Sequence, residues 1–323
     1  PHPVDNLVDL GAVESPYANW IYIPDTAFLH ALIDEGVDAN GDSLISYAEA
    51  DPVEALDLSN FYDYGIDGCW ETSEFSNLTG IEAFTSLDSL NCQCGSIETF
   101  NYSLSALRYL NLRSNDLSTL ELSNCPALTY LDCTNRTLTS INVSNNPLLE
   151  ILICGPEDNG QIENLDLSNN PNLKQLYCND NNLTSLDLSG NPNLEILSSP
   201  FCKLTDLNIS TNIHLKELNL SRNFLTNLDI SQSRSVEILN ISEMESLTEV
   251  CVWENFQISA IEIDAHGSPN VEFIDCNSTG IDSHTSEEIS IYPNPTNTML
   301  TIETEQPYHY YIEITSFKAQ LIH

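Results

Sequence analysis

The chain has 323 residues with 9 basic and 48 acidic side chains, so its formal net charge at pH 7 is −39. A field of this sign repels nucleic acid and anionic membranes, and neither is an expected partner. No apolar run approaches the roughly 20 residues that a membrane-spanning helix needs, so membrane insertion is not expected.

Residues 1–22 read as an extended lead-in rich in proline and polar side chains. The chain starts with neither the basic residues nor the apolar stretch of a signal peptide, which leaves a cytosolic chain or a trimmed mature form as alternatives. Asp25 then fits the N-cap of a helix that Gly36 can end. Residues 23–86 are predicted to form an N-terminal cap.

An acidic stretch after this helix has the spacing of a 12-residue EF-hand loop. Calcium (Ca2+) needs several hard oxygen ligands at one point, and a structural ion is the prediction. Ser43 stands where glycine is usual and must adopt a positive φ, which lowers the expected affinity. The alternative is an acidic helix–turn cap that holds no metal. The predicted ligands are Asp38, Asn40, Asp42 and Glu49 through side chains, Leu44 through its carbonyl, and Ser46 directly or through water.

Leucines recur in the centre of the chain, where Leu165, Leu186 and Leu207 lie 21 residues apart. Each repeat carries two motifs, LxxLxC and LxxLDLS followed by NP, and both alternate apolar and polar residues as strands do. A single coil cannot bury its leucines, but stacked coils can. The period therefore predicts a mainly β leucine-rich-repeat solenoid with little helix over residues 87–277.

The series extends in both directions, and residues 56–59 are predicted to form a first degenerate strand. Insertions are predicted at residues 155–161 and around 265–268, in loops on the rim. The further members of the series are Leu110, Leu120, Leu131, Ile141, Leu152, Leu176, Leu197, Leu218, Leu228, Leu239, Val250, Ile261 and Ile274.

Ten cysteines do not suffice for a disulfide scaffold in a chain of this length. Five of them take the third apolar position of LxxLxC, which leucine or valine takes in other repeats. A thiol at such a position behaves as a small hydrophobic side chain. A metal or redox role is the alternative. For Cys69 and Cys94, which flank the first coil, a disulfide and two free thiols both remain open. The predicted ladder comprises Cys92, Cys133, Cys154, Cys178 and Cys276, and the others are Cys69, Cys94, Cys125, Cys202 and Cys251.

The LxxLxCxxNxLTxLDLSxNP unit resembles the cysteine-ladder leucine-rich repeats of internalin J and related surface proteins of Bacteroidetes. The resemblance implies an EF-hand-like cap before the repeats and a secreted or outer cell-surface location. After a predicted linker over 278–288, the YPNP start of 289–323 resembles a type A C-terminal sorting domain of the type IX secretion system. That resemblance implies a partial β-sandwich, with strands at 299–303 and 310–317, and a generic β tail is the alternative.

Outward positions of the LxxLxC strands include an aromatic and aliphatic cluster with polar edges, which suits a protein or glycan ligand. Strand propensity alone is the alternative explanation. The predicted ligand-binding face comprises Tyr109, Asn111, Tyr130, Asp132, Ile151, Ile153, Tyr177 and Asn179. Glu249, Cys251 and Trp253 are also predicted at outward positions of the LxxLxC strands.

The function predicted from these features is a non-catalytic binding or adhesion module. End-to-end assembly into extracellular filaments is the alternative, because a contact between the two unlike ends of a solenoid does not close. No catalytic residues are predicted, since the seven histidines are scattered and neither G-x-S-x-G nor H-E-x-x-H occurs.

Overall fold

The computed structural model describes residues 19–59, 75–135, 137–155 and 160–276, and the backbone of three further strands near the C-terminus. Two α-helices, α1 (Thr26–Asp34) and α2 (Tyr47–Ala50), and two 3-10 helices, Ile81–Ala83 and Ile258–Ala260, accompany the strands. The strands are β1 (Ala55–Asp57), β2 (Ser89–Asn91), β3 (Thr99–Phe100), β4 (Tyr109–Asn111), β5 (Thr119–Leu120), β6 (Tyr130–Asp132), β7 (Ile151–Ile153), β8 (Gln175–Tyr177), β9 (Ile196–Ser198), β10 (Glu217–Asn219), β11 (Asn227–Asp229), β12 (Ile238–Asn240), β13 (Glu249–Val252), β14 (Glu262–Asp264), β15 (Glu272–Asp275), β16 (Met299–Ile302), β17 (Tyr310–Thr315) and β18 (Lys318–Ile322).

The molecule is the predicted solenoid. One ten-stranded parallel sheet runs along it in the order β1-β2-β4-β6-β7-β8-β9-β10-β12-β14. Each strand places its central apolar residue opposite that of the next strand, as Leu176 stands opposite Leu197. On the other side of the coils lie the short parallel pair β3–β5 and the parallel sheet β11-β13-β15. The predicted degenerate strand is β1, so the large sheet begins inside the segment predicted as the cap.

The core is one continuous column between the two sides of the coils, and its leucines are almost inaccessible. Buried asparagines satisfy the backbone where the chain turns. In LxxLxCxxN coils, Asn181 Nδ2 donates to the carbonyl oxygens of Cys154 and Cys178, each at 3.1 Å. Because one of these carbonyls belongs to the preceding coil, each asparagine ties two coils together.

Helix α1 covers the N-terminal end of the column. Asp25 is its N-cap, as predicted, and Oδ1 accepts hydrogen bonds from the amides of Ala27 (3.0 Å) and Phe28 (3.2 Å). Phe28 and Leu32 of this helix are fully buried against the core. The cap therefore removes from water the apolar edge that the first coil would otherwise expose.

Four of the five predicted ladder thiols, Cys92, Cys133, Cys154 and Cys178, are buried in the core as free cysteines. The prediction is wrong for Cys276, which is exposed and forms a disulfide with Cys251. Cys94 is also disulfide-bonded. Cys69 lies outside the described residues, so its pairing with Cys94 stays a prediction.

Cys125 and Cys202 are buried free thiols that occupy asparagine positions of the turns. Cys125 holds, one coil before Asn146, the position that asparagine takes in the following coils (Asn146, Asn170, Asn191 and Asn212). Its Sγ lies 3.6 Å from the Tyr102 carbonyl oxygen. Cys202 takes the position that Asn181 has in the coil before, with Sγ 3.3 Å from the Cys178 carbonyl oxygen. A thiol is a weak donor, so these two positions are satisfied less well than their asparagine neighbours.

In the last coils the predicted series of central apolar residues is wrong. Val250 stands opposite Leu228 and then Phe273, on the far side of the coils from the large sheet. The large sheet continues instead through Ile263, so neither Ile261 nor Ile274 holds the predicted position. Glu249, Cys251 and Trp253 are consequently not on the same face as the tyrosines. The segment LTEVCV fits both repeat motifs, so its own sequence does not decide which side of the coil it occupies.

The prediction of an insertion at 265–268 is also wrong. Gly267 (φ 73°) takes the left-handed turn position that Glu243 (φ 54°) holds one coil earlier. Ser268 fills the asparagine position, accepting from the Met244 amide (2.8 Å) and donating to the Ile241 carbonyl (2.7 Å). The extra residues of this coil lie earlier, around the 3-10 helix Ile258–Ala260. At the predicted insertion 155–161, residues 156–159 lie outside the described residues.

The C-terminal part contains an antiparallel sheet in the order β16-β17-β18. Two of its strands correspond to those predicted at 299–303 and 310–317, and the third was not predicted. The YPNP segment and the linker 278–288 lie outside the described residues, so the sorting-domain resemblance is not tested there.

Candidate functional site

The front face is defined here as the outward side of the ten-stranded sheet, formed by the first and third residues of each strand. On β4, β6, β7 and β8 these positions bring together a tyrosine patch: Tyr109, Tyr130, Ile151, Ile153 and Tyr177. All five side chains are half-buried. The parallel register places Tyr109 opposite Tyr130, Tyr130 opposite Ile151, and Ile153 opposite Tyr177.

The rings of Tyr109 and Tyr130 stack with centroids 4.4 Å apart and an interplanar angle of 12°. Burial raises the pKa of Tyr130, and the nearby Asp132 carboxylate and Tyr109 hydroxyl add to this effect. Burial likewise raises the pKa of Tyr177, with a contribution from Glu217. Both hydroxyls therefore stay protonated at neutral pH, and the patch presents rings and neutral O–H groups rather than charges.

The polar residues of the predicted face contribute mainly to the local structure at the ends of their own strands. Asn111 and Asp132 are nearly buried, and their Oδ1 atoms accept hydrogen bonds of 3.0 Å from the amides of Arg113 and Thr134. Asn179 is half-buried and extends over Gly155, where a Cβ would lie 2.8 Å from its side chain. These residues border the patch and stiffen the strand ends beside it.

The third strand position shows a regular pattern with one break. On most strands an Asp or Asn there accepts the amide of the residue two further on, as Asn219 does from Ser221 (3.2 Å). On three successive strands the position is Ile153, Tyr177 or Ser198 instead. Isoleucine and tyrosine cannot make this turn bond, which is worth about 1 kcal/mol. The other acidic or amide side chains in the column are Asp57, Asn91, Asn111, Asp132, Asn240 and Asp264.

Ion pairs flank the front face along the residues that precede the strands. Arg108 pairs with Asp88, Lys174 Nζ lies 2.8 Å from Glu150 Oε2, and Lys216 Nζ lies 2.6 Å from Glu195 Oε2. A fourth pair, Arg222–Glu243 at 2.6 Å, lies in the turns after the strands. Ion pairs this exposed to solvent contribute little to the stability of the fold. Four of the nine basic residues thus offset acidic charge beside the front face of a strongly acidic chain.

The predicted metal loop has the turn geometry that its sequence requires. Ser43 has the positive φ, 66°, that its position demands. Asp38 Oδ1 accepts from the Gly41 amide (2.7 Å), and Glu49 Oε1 reaches back to the amides of Ala39 (3.2 Å) and Asn40 (3.3 Å). Ile45 is buried and anchors the loop to the cap.

The remaining predicted ligands surround the same loop. The Oδ1 atoms of Asn40 and Asp42 accept the amides of Asp42 (2.9 Å) and Leu44 (3.0 Å), and Ser46 Oγ donates to Glu49 Oε2 (2.8 Å). Within the described ranges, Asp38, Asp42 and Glu49 are not gathered within 4.8 Å of one another. The oxygens are hard donors of the kind that calcium takes, and they would have to exchange amide partners for the ion.

The one group of candidate ligands that does lie within 4.8 Å in the described ranges is Glu249 with Cys251 and Cys276. The two sulfurs of this group form a disulfide, so they do not act as metal ligands in this state. Sequence reasoning missed this pair because each cysteine was assigned from its own motif. The 25-residue separation between the two was the available signal.

Comparison with known proteins gives a family match to part of the repeat region. The Leucine Rich Repeat family matches residues 182–204. A search of the curated proteins finds no match. Within the described part of the chain, no helix has the length and apolar character needed to cross a membrane.

Three solved structures are similar over most of the repeats. The functional domain of InlJ from Listeria monocytogenes, which includes a cysteine ladder, is 25% identical, with a TM-score of 0.49 over 72% of this chain and 57% of that one. The Leptospira interrogans LRR protein LIC12759 is 21% identical, with a TM-score of 0.46 over 60% and 55%. Internalin C2 from L. monocytogenes is 15% identical, with a TM-score of 0.49 over 80% and 96%. The chain thus spans less than two thirds of the first two structures.

Proposed function

We propose that the protein is a non-catalytic binding module that holds a protein partner on the front face, centred on the tyrosine patch. One observation carries this proposal. Ile153 and Tyr177 stand where most strands of the sheet have Asp or Asn, and they lack the turn hydrogen bond that those residues make. A departure that costs local stability and leaves half-exposed apolar side chains is typical of a residue selected for a ligand.

Protein chemistry suits the patch better than carbohydrate does. Stacking between Tyr109 and Tyr130 occupies one face of each ring, which leaves edges and hydroxyls for contact. Tyrosines in apolar surroundings dominate the binding energy of many protein interfaces. The flanking ion pairs lower the local negative charge, which lets a neutral or acidic partner approach this face. A glycan is the alternative ligand, since neutral hydroxyls and rings also suit sugars.

A binding screen with matched variants tests the proposal. The wild-type full chain, the triple variant Tyr109→Ala/Tyr130→Ala/Tyr177→Ala and the control Phe224→Ala are each presented to panels of extracellular proteins and glycans. Phe224 is a large exposed side chain away from the front face. Loss of at least ~10-fold in affinity for a captured protein, in the triple variant alone, is expected. Equal capture by all three chains would refute the binding face, and capture of glycans alone would favour the alternative.

We also propose that the protein works outside the cytosol. The Cys251–Cys276 disulfide is exposed on the Cys276 side, and such bonds persist in oxidising compartments. Secretion or attachment to the outer cell surface is consistent with this, and fractionation of the producing cells tests it. A filament built end to end is the rival function. A monomer at micromolar concentration in solution scattering would exclude that rival.

A structural calcium ion in the 38–49 loop is a second proposal, supported by the loop geometry and the oxygen ligands. A ligand that binds only the folded state raises its stability, so a chelator should lower the melting temperature of the wild type. Glu49→Gln should abolish that response, whereas Glu54→Gln, next to the loop, should keep it. An unchanged melting temperature in wild type with and without the chelator would end the calcium proposal.

A further inference from the structure

The loop over residues 38–49 contains an asparagine followed by a glycine, Asn40 and Gly41, and both are exposed. Gly41 has a positive φ of 77°, and a Cβ built on it would meet nothing within 4 Å. Glycine carries no side chain that could shield its own backbone nitrogen. The Gly41 nitrogen is therefore accessible to the side-chain amide of the residue before it. A reaction between these two groups avoids the entropic cost of bringing two molecules together.

The loop holds both reacting groups by hydrogen bonds. Asn40 Oδ1 accepts from the Asp42 amide at 2.9 Å. A donor at this oxygen stabilises the negative charge that develops there when the amide carbon is attacked. The Gly41 amide donates to Asp38 Oδ1 at 2.7 Å. A carboxylate in this position is a base for the proton that the nitrogen loses on attack.

The second Asn–Gly pair of the chain, Asn159 and Gly160, differs at its glycine. Gly160 is buried, and its amide donates to the backbone carbonyl oxygen of Asp180 at 2.7 Å. A peptide carbonyl is a far weaker base than a carboxylate, so it does not take the proton from the nitrogen. Asn159 itself lies outside the described residues. Because the dipeptide is the same at both places, the chain supplies its own comparison.

We propose that Asn40 is a site of self-catalysed deamidation. The Gly41 nitrogen attacks Cγ of Asn40 and forms a new C–N bond, while its proton passes by way of Asp38 to the departing amide nitrogen. The old C–N bond breaks, ammonia leaves, and a succinimide ring remains. Water then opens the ring to aspartate or to isoaspartate. The net reaction consumes water and releases ammonia, and it needs no oxidant, reductant or cofactor.

The modification changes a predicted calcium ligand, and this consequence rests on the calcium proposal. Aspartate at position 40 adds a carboxylate to those of Asp38, Asp42 and Glu49. A higher ligand charge raises the calcium affinity of loops of this kind. Isoaspartate instead lengthens the backbone and moves the carboxylate out of the ligand spacing. A bound ion would in turn hold Asn40 Oδ1 and Asp38 away from the reaction.

Mass spectrometry of the full chain tests the site. The folded wild type is incubated at neutral pH with a chelator, samples are digested over time, and the readout is the fraction of each Asn–Gly peptide that has exchanged NH2 for OH. We expect Asn40 to convert at least ~10-fold faster than Asn159, since a positioned base commonly contributes more than this. In urea, where both pairs are unfolded, the two rates should be similar. Equal rates at both pairs in the folded chain would overturn the proposal.

Two variants make the result specific. Asp38→Asn removes the proton acceptor and should slow the conversion of Asn40 at least ~10-fold, with no change at Asn159. Asp34→Asn, which removes an exposed carboxylate of α1, is the matched control and should leave both rates as in wild type. Unchanged conversion of Asn40 in Asp38→Asn would also overturn the proposal. The comparison of the two pairs in the wild type gives a result even if Asp38→Asn loses the loop structure.

Replacing the chelator by calcium separates this proposal from the calcium proposal. If the ion binds the loop, the conversion of Asn40 slows while that of Asn159 does not. If calcium leaves both rates unchanged, the calcium proposal fails, and the faster conversion of Asn40 still supports the modification.

Discussion

Asn191 Nδ2 donates a hydrogen bond of 2.9 Å to the backbone carbonyl oxygen of Asn170, one coil earlier. The same nitrogen donates to the Leu167 carbonyl at 3.0 Å. The contact repeats along the solenoid, as Asn212 bonds the Asn191 carbonyl at 2.8 Å. Each coil is thereby fastened to the one before it through buried polar groups, which leucine packing alone does not achieve.

Replacement of Asn191 should therefore be costly. Asn191→Ala removes two buried hydrogen bonds and leaves the carbonyl oxygens of Leu167 and Asn170 only their backbone donors, the amides of Asn170 (3.0 Å) and Leu173 (3.1 Å). We expect a loss of about 1–3 kcal/mol in the free energy of unfolding. Asn193→Ala is the matched control, because Asn193 makes a similar bond to the Pro171 carbonyl (3.0 Å) in an exposed position. Urea titration compares the two. Equal small losses of unfolding free energy in the two variants would show that the buried hydrogen bonds of Asn191 contribute little to stability.

Ser199 interrupts the thiol ladder with a hydroxyl that is fully buried and has no hydrogen-bond partner. Removing an unsatisfied buried polar group is favourable, so Ser199→Ala should stabilise the protein by about 1 kcal/mol. Ser233→Ala serves as the control, since Ser233 Oγ donates to the Asn212 carbonyl (3.2 Å) and its loss should destabilise. The urea midpoints should move in opposite directions, and a lower midpoint for Ser199→Ala would contradict this account.

The six free thiols of the described chain are all buried. Burial raises the pKa of each, and that of Cys202 reaches about 11. Because the thiolate is the reactive form, none of the six should react with an aromatic disulfide reagent at pH 8 while the protein is folded. All should react in denaturant. Rapid labelling of Cys178 or Cys202 in the folded chain, mapped by mass spectrometry, would show that the ladder is open to solvent.

His266 lies at the edge of the last coil, with Nδ1 2.8 Å from Asp264 Oδ1 and Nε2 3.6 Å from Glu243 Oε1. Asp264, followed by Glu243, raises the pKa of His266 above its usual 6.5. A raised folded-state pKa means that this stabilisation is complete below pH 6.5 and disappears as the pH rises through the folded-state value.

NMR titration of the His266 ring measures this pKa directly. Asp264→Asn should bring it back toward the ordinary value, whereas Glu262→Gln, which leaves both contacts intact, should change it less. A wild-type pKa at or below 6.5 would mean that these carboxylates do not stabilise the protonated ring of His266.

The period of the leucines was sufficient to predict the solenoid, because a 21-residue repeat of strand motifs has few other ways to bury its apolar residues. Local rules also predicted the Asp25 cap and the positive φ of Ser43. The sequence was not sufficient at Val250, where one segment fits both motifs and only the neighbouring coil decides which side it occupies. For the same reason the Cys251–Cys276 bond was missed.

In the candidate site, too, part of the arrangement could be predicted from the sequence and part could not. The tyrosine patch follows from strand alternation, but the turn bonds of Asn111 and Asp132 depend on geometry. The break at Ile153 and Tyr177 was visible in the sequence once the third strand positions were aligned. The structure was needed to show that Asn219 and its equivalents accept a hydrogen bond from the turn after their strand, a bond that Ile153 and Tyr177 cannot make.

The most direct test of the central claim restores the regular pattern in the double variant Ile153→Asn/Tyr177→Asn. If these two residues serve a partner, the new turn bonds offset the lost packing, and the free energy of unfolding should stay within about 1 kcal/mol of wild type. Affinity for a protein captured by the wild-type chain should at the same time fall by at least ~10-fold. A large loss of stability with unchanged capture would contradict the account, because the two side chains would then serve the fold and not a ligand.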